Sequence, residues 1–195
     1  MGGSIARGLA KGSIIPASDI IVSNPSQGKL DKLKAEFPAL QTTHDNQEAV
    51  TGAEFIILAV KPWLIKPVLR ELKLKSKQIL ISVAAGISFE ELAQNVADKE
   101  MTMFRIIPNT AVSEMESMTL IASRNATPEQ EQLMLDIFNQ MGLALLIPEE
   151  KLRRRHFHDF LRHRIRTEVH PGSHASRHRN GHLPPRTACA WWRKP

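Results

Sequence analysis

Apolar positions along the first 150 residues fall into two alternating rhythms. From Ser4 to Lys11, Ile5 and Leu9 stand four apart with Ala6 and Ala10 beside them, the narrow stripe of a helix packed on a sheet. Asp19 to Ser23 is a short β-branched run closed by Asn24-Pro25, which predicts a strand and its turn. Helical spacing returns at Leu30, Leu33 and Phe37, and Pro38 stops it. Two continuous apolar runs, residues 54–60 and 78–86, predict buried strands, with a helix over 64–74 between them. Ser88 followed by Glu91 is a capping box that opens a helix over 89–97. A further strand is predicted at 102–107, and a helix over 127–141 carries Pro128 in its first turn and ends at Gly142.

Apolar strands separated by helices mean βαβ units and a parallel sheet covered on both faces. The body is therefore an α/β fold with a Rossmann-type, doubly wound, mostly parallel sheet. In such sheets ligands bind outside the carboxyl ends of the strands, so the residues just after each strand carry the information about function.

Ser23-Asn24-Pro25 follows the second strand of the usual order, where dinucleotide folds read the adenosine ribose. An acid there would accept from the 2′-hydroxyl of NAD; short polar groups with Lys29 nearby tolerate a 2′-phosphate and favour NADP. The alternative is that Asn24-Pro25 is only a turn. After the next strand come Ala59, Val60, Lys61 and Pro62, small residues plus a lysine that meets either a ribose or phosphate oxygen or only solvent. Val83, Ala84, Ala85 and Gly86 follow the strand after that, and their bare backbone suits either a flat ring or close helix packing. Asn109 and Thr110 follow Pro108, to bind a substrate or to cap the next segment.

Together these stretches resemble the N-terminal domain of the pyrroline-5-carboxylate reductases. The stretch MGGSIARGL is similar to the end of that family's glycine-rich loop and its first helix; LAVKPW, SVAAGIS and RIIPNTA resemble three later signatures in order and spacing. The chain departs from the family at Pro25, where arginine is frequent, and at Ala111, where proline is. The resemblance implies reduction of 1-pyrroline-5-carboxylate to L-proline with NAD(P)H, NADPH being preferred over NADH. It assigns Met1 and Gly2 to the remnant of the diphosphate loop, Ser23 and Asn24 to the 2′-phosphate side, and Asn46 to the adenosine. It sets Ala59, Val60, Lys61 and Pro62 beside the nicotinamide ribose, Val83, Ala84 and Ala85 beside the nicotinamide, and Asn109 and Thr110 beside the substrate. It names no general acid. The family begins with a strand and G-x-G-x-x-G, so the expectation for this chain is a sheet lacking its first strand, with the central place vacant.

Charge divides the chain. Residues 151–195 hold 12 Lys and Arg against 2 Asp and Glu and 7 of the 8 His, a net +10, whereas the first 150 residues carry a net −4. The expected organisation is an incomplete NADP-binding domain over 1–152 and an unstructured basic tail over 153–195. That tail stands where the family has a helical domain for dimerisation and substrate binding. Its His170, His174, His178 and His182 stand four apart, but Pro171 and Gly172 oppose a metal-binding helix. Nucleic-acid binding through its charge is the weaker reading. Shifting the frame by one base allows residues 157–181 to spell an Ala-rich segment resembling the start of that helical domain, so the tail reads as a frameshift. The expected consequence is poor folding and negligible turnover.

A single cysteine, Cys189, excludes an intrachain disulfide framework, and no run approaches the ~18 apolar residues of a membrane helix. Ala6 stands where a myristoylation signal needs Ser or Thr. A soluble cytoplasmic protein without a membrane partner or metal is the expectation.

Overall fold

The computed structural model describes residues 1–152 and the backbone of one strand at 187–190. The buried runs form the parallel centre of the sheet: β1 (Ile20–Ser23), β3 (Phe55–Leu58), β4 (Ile79–Ser82) and β5 (Met103–Pro108). Four further strands complete it: β2 (Gln41–Thr43), β6 (Ser117–Arg124), β7 (Gly142–Leu146) and β8 (Thr187–Ala190). Their order is β2-β1-β8-β3-β4-β5-β6-β7, and every pairing is parallel except β5 with β6.

Strand side chains alternate between faces, and each face is covered. Phe55, Ile57, Ile79 and Ile81 pack with Ile5 and Leu9 of α1 (Gly2–Lys11), Leu30 and Leu33 of α2 (Gln27–Glu36), and Phe138 of α6 (Pro128–Asn139). Ile56, Leu58 and Leu80 pack with Val50 of α3 (Asn46–Val50), Val68 and Leu69 of α4 (Ile65–Glu71), and Phe89 and Leu92 of α5 (Phe89–Ala93). The expected doubly wound fold is therefore present. Ser88 forms the capping box as its spacing predicts, accepting from the Glu91 N–H at 3.2 Å while its own N–H donates to Glu91 Oε2 at 2.7 Å.

Two glycines are required by close approach. A Cβ on Gly8 would lie 2.7 Å from the Val112 carbonyl oxygen, so α1 sits against the turn after β5 only without a side chain. Gly142 has φ +131° and its Cβ would fall 2.0 Å from the Ser117 carbonyl oxygen, where β7 joins β6. The glycine that the sequence marks as a helix stop thus also starts a strand.

One expectation is corrected. The central place between β1 and β3 is not vacant: β8 lies there, with Ile20 and Phe55 flanking Thr187 and Ser23 and Leu58 flanking Ala190. The physical reason is the backbone. Two strands held one strand-width apart each present a row of N–H and C=O groups at mid-sheet, and a parallel segment satisfies both rows. Residues 187–190 are accordingly strand rather than unstructured tail. The histidine spacing, the shifted-frame segment and the remaining basic residues at 153–186 and 191–195 lie outside the described residues.

Candidate functional site

At the carboxyl ends of β3 and β4 the structure opens a cavity of about 1130 Å³. Its wall includes Met1 and Gly2 at the start of α1, Lys29 of α2, Ala59 to Trp63 after β3, and Val83 to Gly86 after β4. Ser88, Glu91, Arg105, Ile107 and Leu152 line it as well. Nine of the fourteen site residues singled out from the sequence thus share one space: Met1, Gly2, Ala59, Val60, Lys61, Pro62, Val83, Ala84 and Ala85.

Positive charge collects at one end. Met1 is the N-cap of α1 and offers no side-chain acceptor to its first turn, where the helix dipole is positive. Burial pushes the Met1 amino group below its ordinary value, and the charges of Lys61 and Lys29 push it further the same way. Lys61 also stands 5.9 Å from the centroid of the Trp63 ring. Next to these cations, Ala84, Ala85 and Gly86 present almost no side chain, and Gly86 holds φ +82°. Bare backbone beside clustered cations fits a flat ring carried on phosphates, and so the residues present fit a dinucleotide.

The other end is closed by an ion pair. Arg105 is 10% exposed at its side chain, and its Nη1 donates to Glu149 Oε1 at 2.6 Å. The same oxygen accepts the Phe89 N–H at 2.8 Å, at the start of α5, and the guanidinium carbon lies 5.8 Å from the Phe89 ring centroid. Arg105 Nε is buried without a hydrogen-bond partner. Sequence reasoning passed over Arg105 and Trp63. The signal for Arg105 was a charged residue inside an otherwise apolar strand, a placement that buried arginine takes only when paired.

The remaining expected residues lie elsewhere. Ser23 and Asn24 are buried at the end of β1, where Ser23 Oγ donates to Asn46 Oδ1 at 2.8 Å and Asn24 Oδ1 accepts the Ser26 N–H at 2.8 Å. These three form a polar cluster that is not part of the cavity wall as described. Asn109 is exposed and caps the turn after β5, accepting the Ala111 N–H at 3.0 Å, with Thr110 exposed beside it. Among the described residues no group of three or more His, Cys, Asp or Glu could hold a metal ion, and no helix is long and apolar enough to cross a membrane.

With this geometry in place, the comparisons with known proteins carry weight. Residues 1–86 match the family described as NADP oxidoreductase, coenzyme F420-dependent. Pyrroline-5-carboxylate reductase 3 of Danio rerio is 34% identical over 154 residues, 75% of this chain and 52% of that protein. The chain resembles the pyrroline-5-carboxylate reductases. A solved pyrroline-5-carboxylate reductase of Coxiella burnetii superposes with a TM-score of 0.69 at 29% identity, covering 77% of this chain and 58% of that one. The Plasmodium falciparum pyrroline carboxylate reductase, solved with NADP bound, gives 0.68 at 26% identity over 76% of this chain and 54% of its own. These likenesses bear out the resemblance and the Rossmann-like NAD(P)-binding fold read from the sequence. The chain spans about half the length of the curated relatives it matches.

Proposed function

We propose that residues 1–152 are the cofactor-binding half of an NADPH-dependent imine reductase that converts 1-pyrroline-5-carboxylate to L-proline. The observation that carries this reading is that bare backbone after β4 and the cations of α1, α2 and the turn after β3 line one cavity. The names of the relatives supply the substrate class. When bound, the reduced nicotinamide supplies the hydride.

The protein's part is positioning. Val83, Ala84 and Ala85 form the shelf on which the nicotinamide lies, and Lys61 with Ala59, Val60 and Pro62 meets its ribose. Met1 and Gly2 face the diphosphate at the positive end of α1. Ser23, Asn24 and Asn46 shape the adenosine end from behind, with Ser23 and Asn46 joined by a part-buried hydrogen bond, and Lys29 stands on the cavity wall toward the 2′-phosphate side. Asn109 and Thr110 border the substrate from the turn after β5.

Because the matched relatives are about twice as long, the organisation we propose is this domain followed, in the intact family, by a dimerising partner domain. For these 195 residues alone we expect cofactor binding with little turnover, in the cytoplasm and without a nucleic-acid partner. A nonenzymatic dinucleotide-binding protein is the second reading, favoured by the same half-length match. Titration with NADPH and NADH, followed by an assay for NADPH-dependent proline formation, separates them. Tighter binding of NADPH supports the cofactor reading, and proline formation supports the enzyme; failure to bind either nucleotide rejects both.

A further inference from the structure

We propose that the place between β1 and β3 is a strand-exchange site: it takes an extended segment of another protein, with four consecutive apolar residues, in competition with this chain's own residues 187–190. Both flanks of the place are complete. Ile20 to Ser23 on one side and Phe55 to Leu58 on the other pair in parallel with Thr187 to Ala190, so the main chain of any extended segment finds partners there whatever its sequence.

The register sets what such a segment must carry. Position 187 lies level with Ile20 and Phe55, and position 189 with Val22 and Ile57, all four on the face that Ile5 and Leu9 of α1 cover. Position 188 lies level with Ile21 and Ile56, and position 190 with Ser23 and Leu58; Ile21, Ile56 and Leu58 belong to the face that Val50 of α3 covers. Successive positions therefore meet an apolar layer on either side of the sheet, and the place selects four apolar residues in a row over an alternating strand. The neighbouring strands obey that demand with Ile-Ile-Val-Ser, Phe-Ile-Ile-Leu and Ile-Leu-Ile-Ser, whereas residues 187–190 read Thr-Ala-Cys-Ala. A segment of Val and Ile takes more apolar area out of water at the same backbone positions. Residues 187–190 hold the place through their attachment: residues 153–186 connect them to the body and set an effective concentration on the order of millimolar. A second copy offers the same four residues without that attachment, so the segment that displaces them comes from a different protein.

The test uses the 195-residue chain and three fluorescein-labelled peptides, alike in their lysine flanks and differing in the four central residues: Val-Ile-Val-Val, Thr-Ala-Cys-Ala and the alternating Val-Ser-Val-Ser. Fluorescence anisotropy should show the first binding more than about tenfold tighter than either of the others. Ala188→Pro removes a backbone N–H from the attached strand and should tighten binding of that peptide about tenfold further. Amide hydrogen exchange locates the event: with the Val-Ile-Val-Val peptide bound, residues 187–190 lose protection while 20–23 and 55–58 keep it. The inference is overturned if the parent chain does not bind that peptide, binds the alternating one equally well, or binds with 187–190 still protected. A folded Ala188→Pro variant with unimproved affinity overturns it as well, as does a parent dimer that this substitution abolishes, which would assign the place to a second copy. Where Ala188→Pro does not fold, the ranking of peptides and the exchange pattern of the parent chain decide.

Discussion

The two ends of the cleft handle positive charge in opposite ways. At one end, Lys29 and Lys61 bear on the Met1 amino group and lower its proton affinity, so the cations there oppose one another. At the other, Arg105 is matched inside the protein by Glu149, which also takes the first N–H of α5. Like charges gathered together suit a phosphate-bearing ligand, whereas a charge matched by its counter-ion holds the wall together. The difference separates a group of like charges suited to a ligand from a charge matched within the fold, although Met1, Lys29, Lys61 and Arg105 all line the same cavity.

The comparison is broken most severely by Glu149→Ala. That change leaves the buried guanidinium without its counter-charge and α5 without an acceptor for its first N–H. We expect a loss of about 2 kcal/mol in urea unfolding, less than for a fully buried pair because the carboxylate is partly exposed. Lys61→Met acts in the opposite register. Stability should stay within about 0.5 kcal/mol, while the dissociation constant for NADPH rises about fivefold, equivalent to about 1 kcal/mol for one exposed charge-assisted contact.

Salt sharpens the same contrast. Raising ionic strength should weaken NADPH binding by the parent chain and weaken it less in Lys61→Met, while the Arg105–Glu149 pair, being largely buried, changes little in unfolding experiments. The smallest effect belongs to the α5 cap. Ser88→Ala should cost about 0.5 kcal/mol. The Ser88 backbone N–H, and then its hydroxyl, hold the Glu91 carboxyl below its ordinary 4.5. A carboxyl lowered in the folded state stabilises it fully above 4.5, and that contribution is lost as pH falls from there through the lower folded value. Unfolding at pH 6 and at pH 3, in the parent and in Glu91→Ala, checks the sign: the two should converge at the lower pH.

Much of the sheet was legible because β3 and β4 are continuous apolar runs that only a strand buried on both faces explains. What escaped notice lacked that signal. β2 is Gln-Thr-Thr, partly exposed at the sheet edge and held by β1 alone. β6 returns antiparallel to β5 and mixes Ser, Thr and Met with its apolar residues. The place of β8 depends on backbone groups of β1 and β3 more than 120 residues away in the chain, which no local rhythm encodes.

The candidate site divides along the same line. Lys61 and the Ala84-Ala85-Gly86 shelf follow strands directly, so finding the strands located them. Arg105 acquires its meaning from Glu149, 44 residues on, and Asn109 proved to cap a turn, the local alternative its residue type always allows. Spacing along a chain identifies strand ends well and identifies partners across a fold poorly.

The most direct test of the account is amide hydrogen exchange on the 195-residue chain with and without saturating NADPH. The account predicts added protection at residues 59–64 and 83–86 and at the first turn of α1, with the Arg105 and Glu149 region unchanged. Binding without protection at those segments, or protection centred on the turn at 109–114, would contradict it.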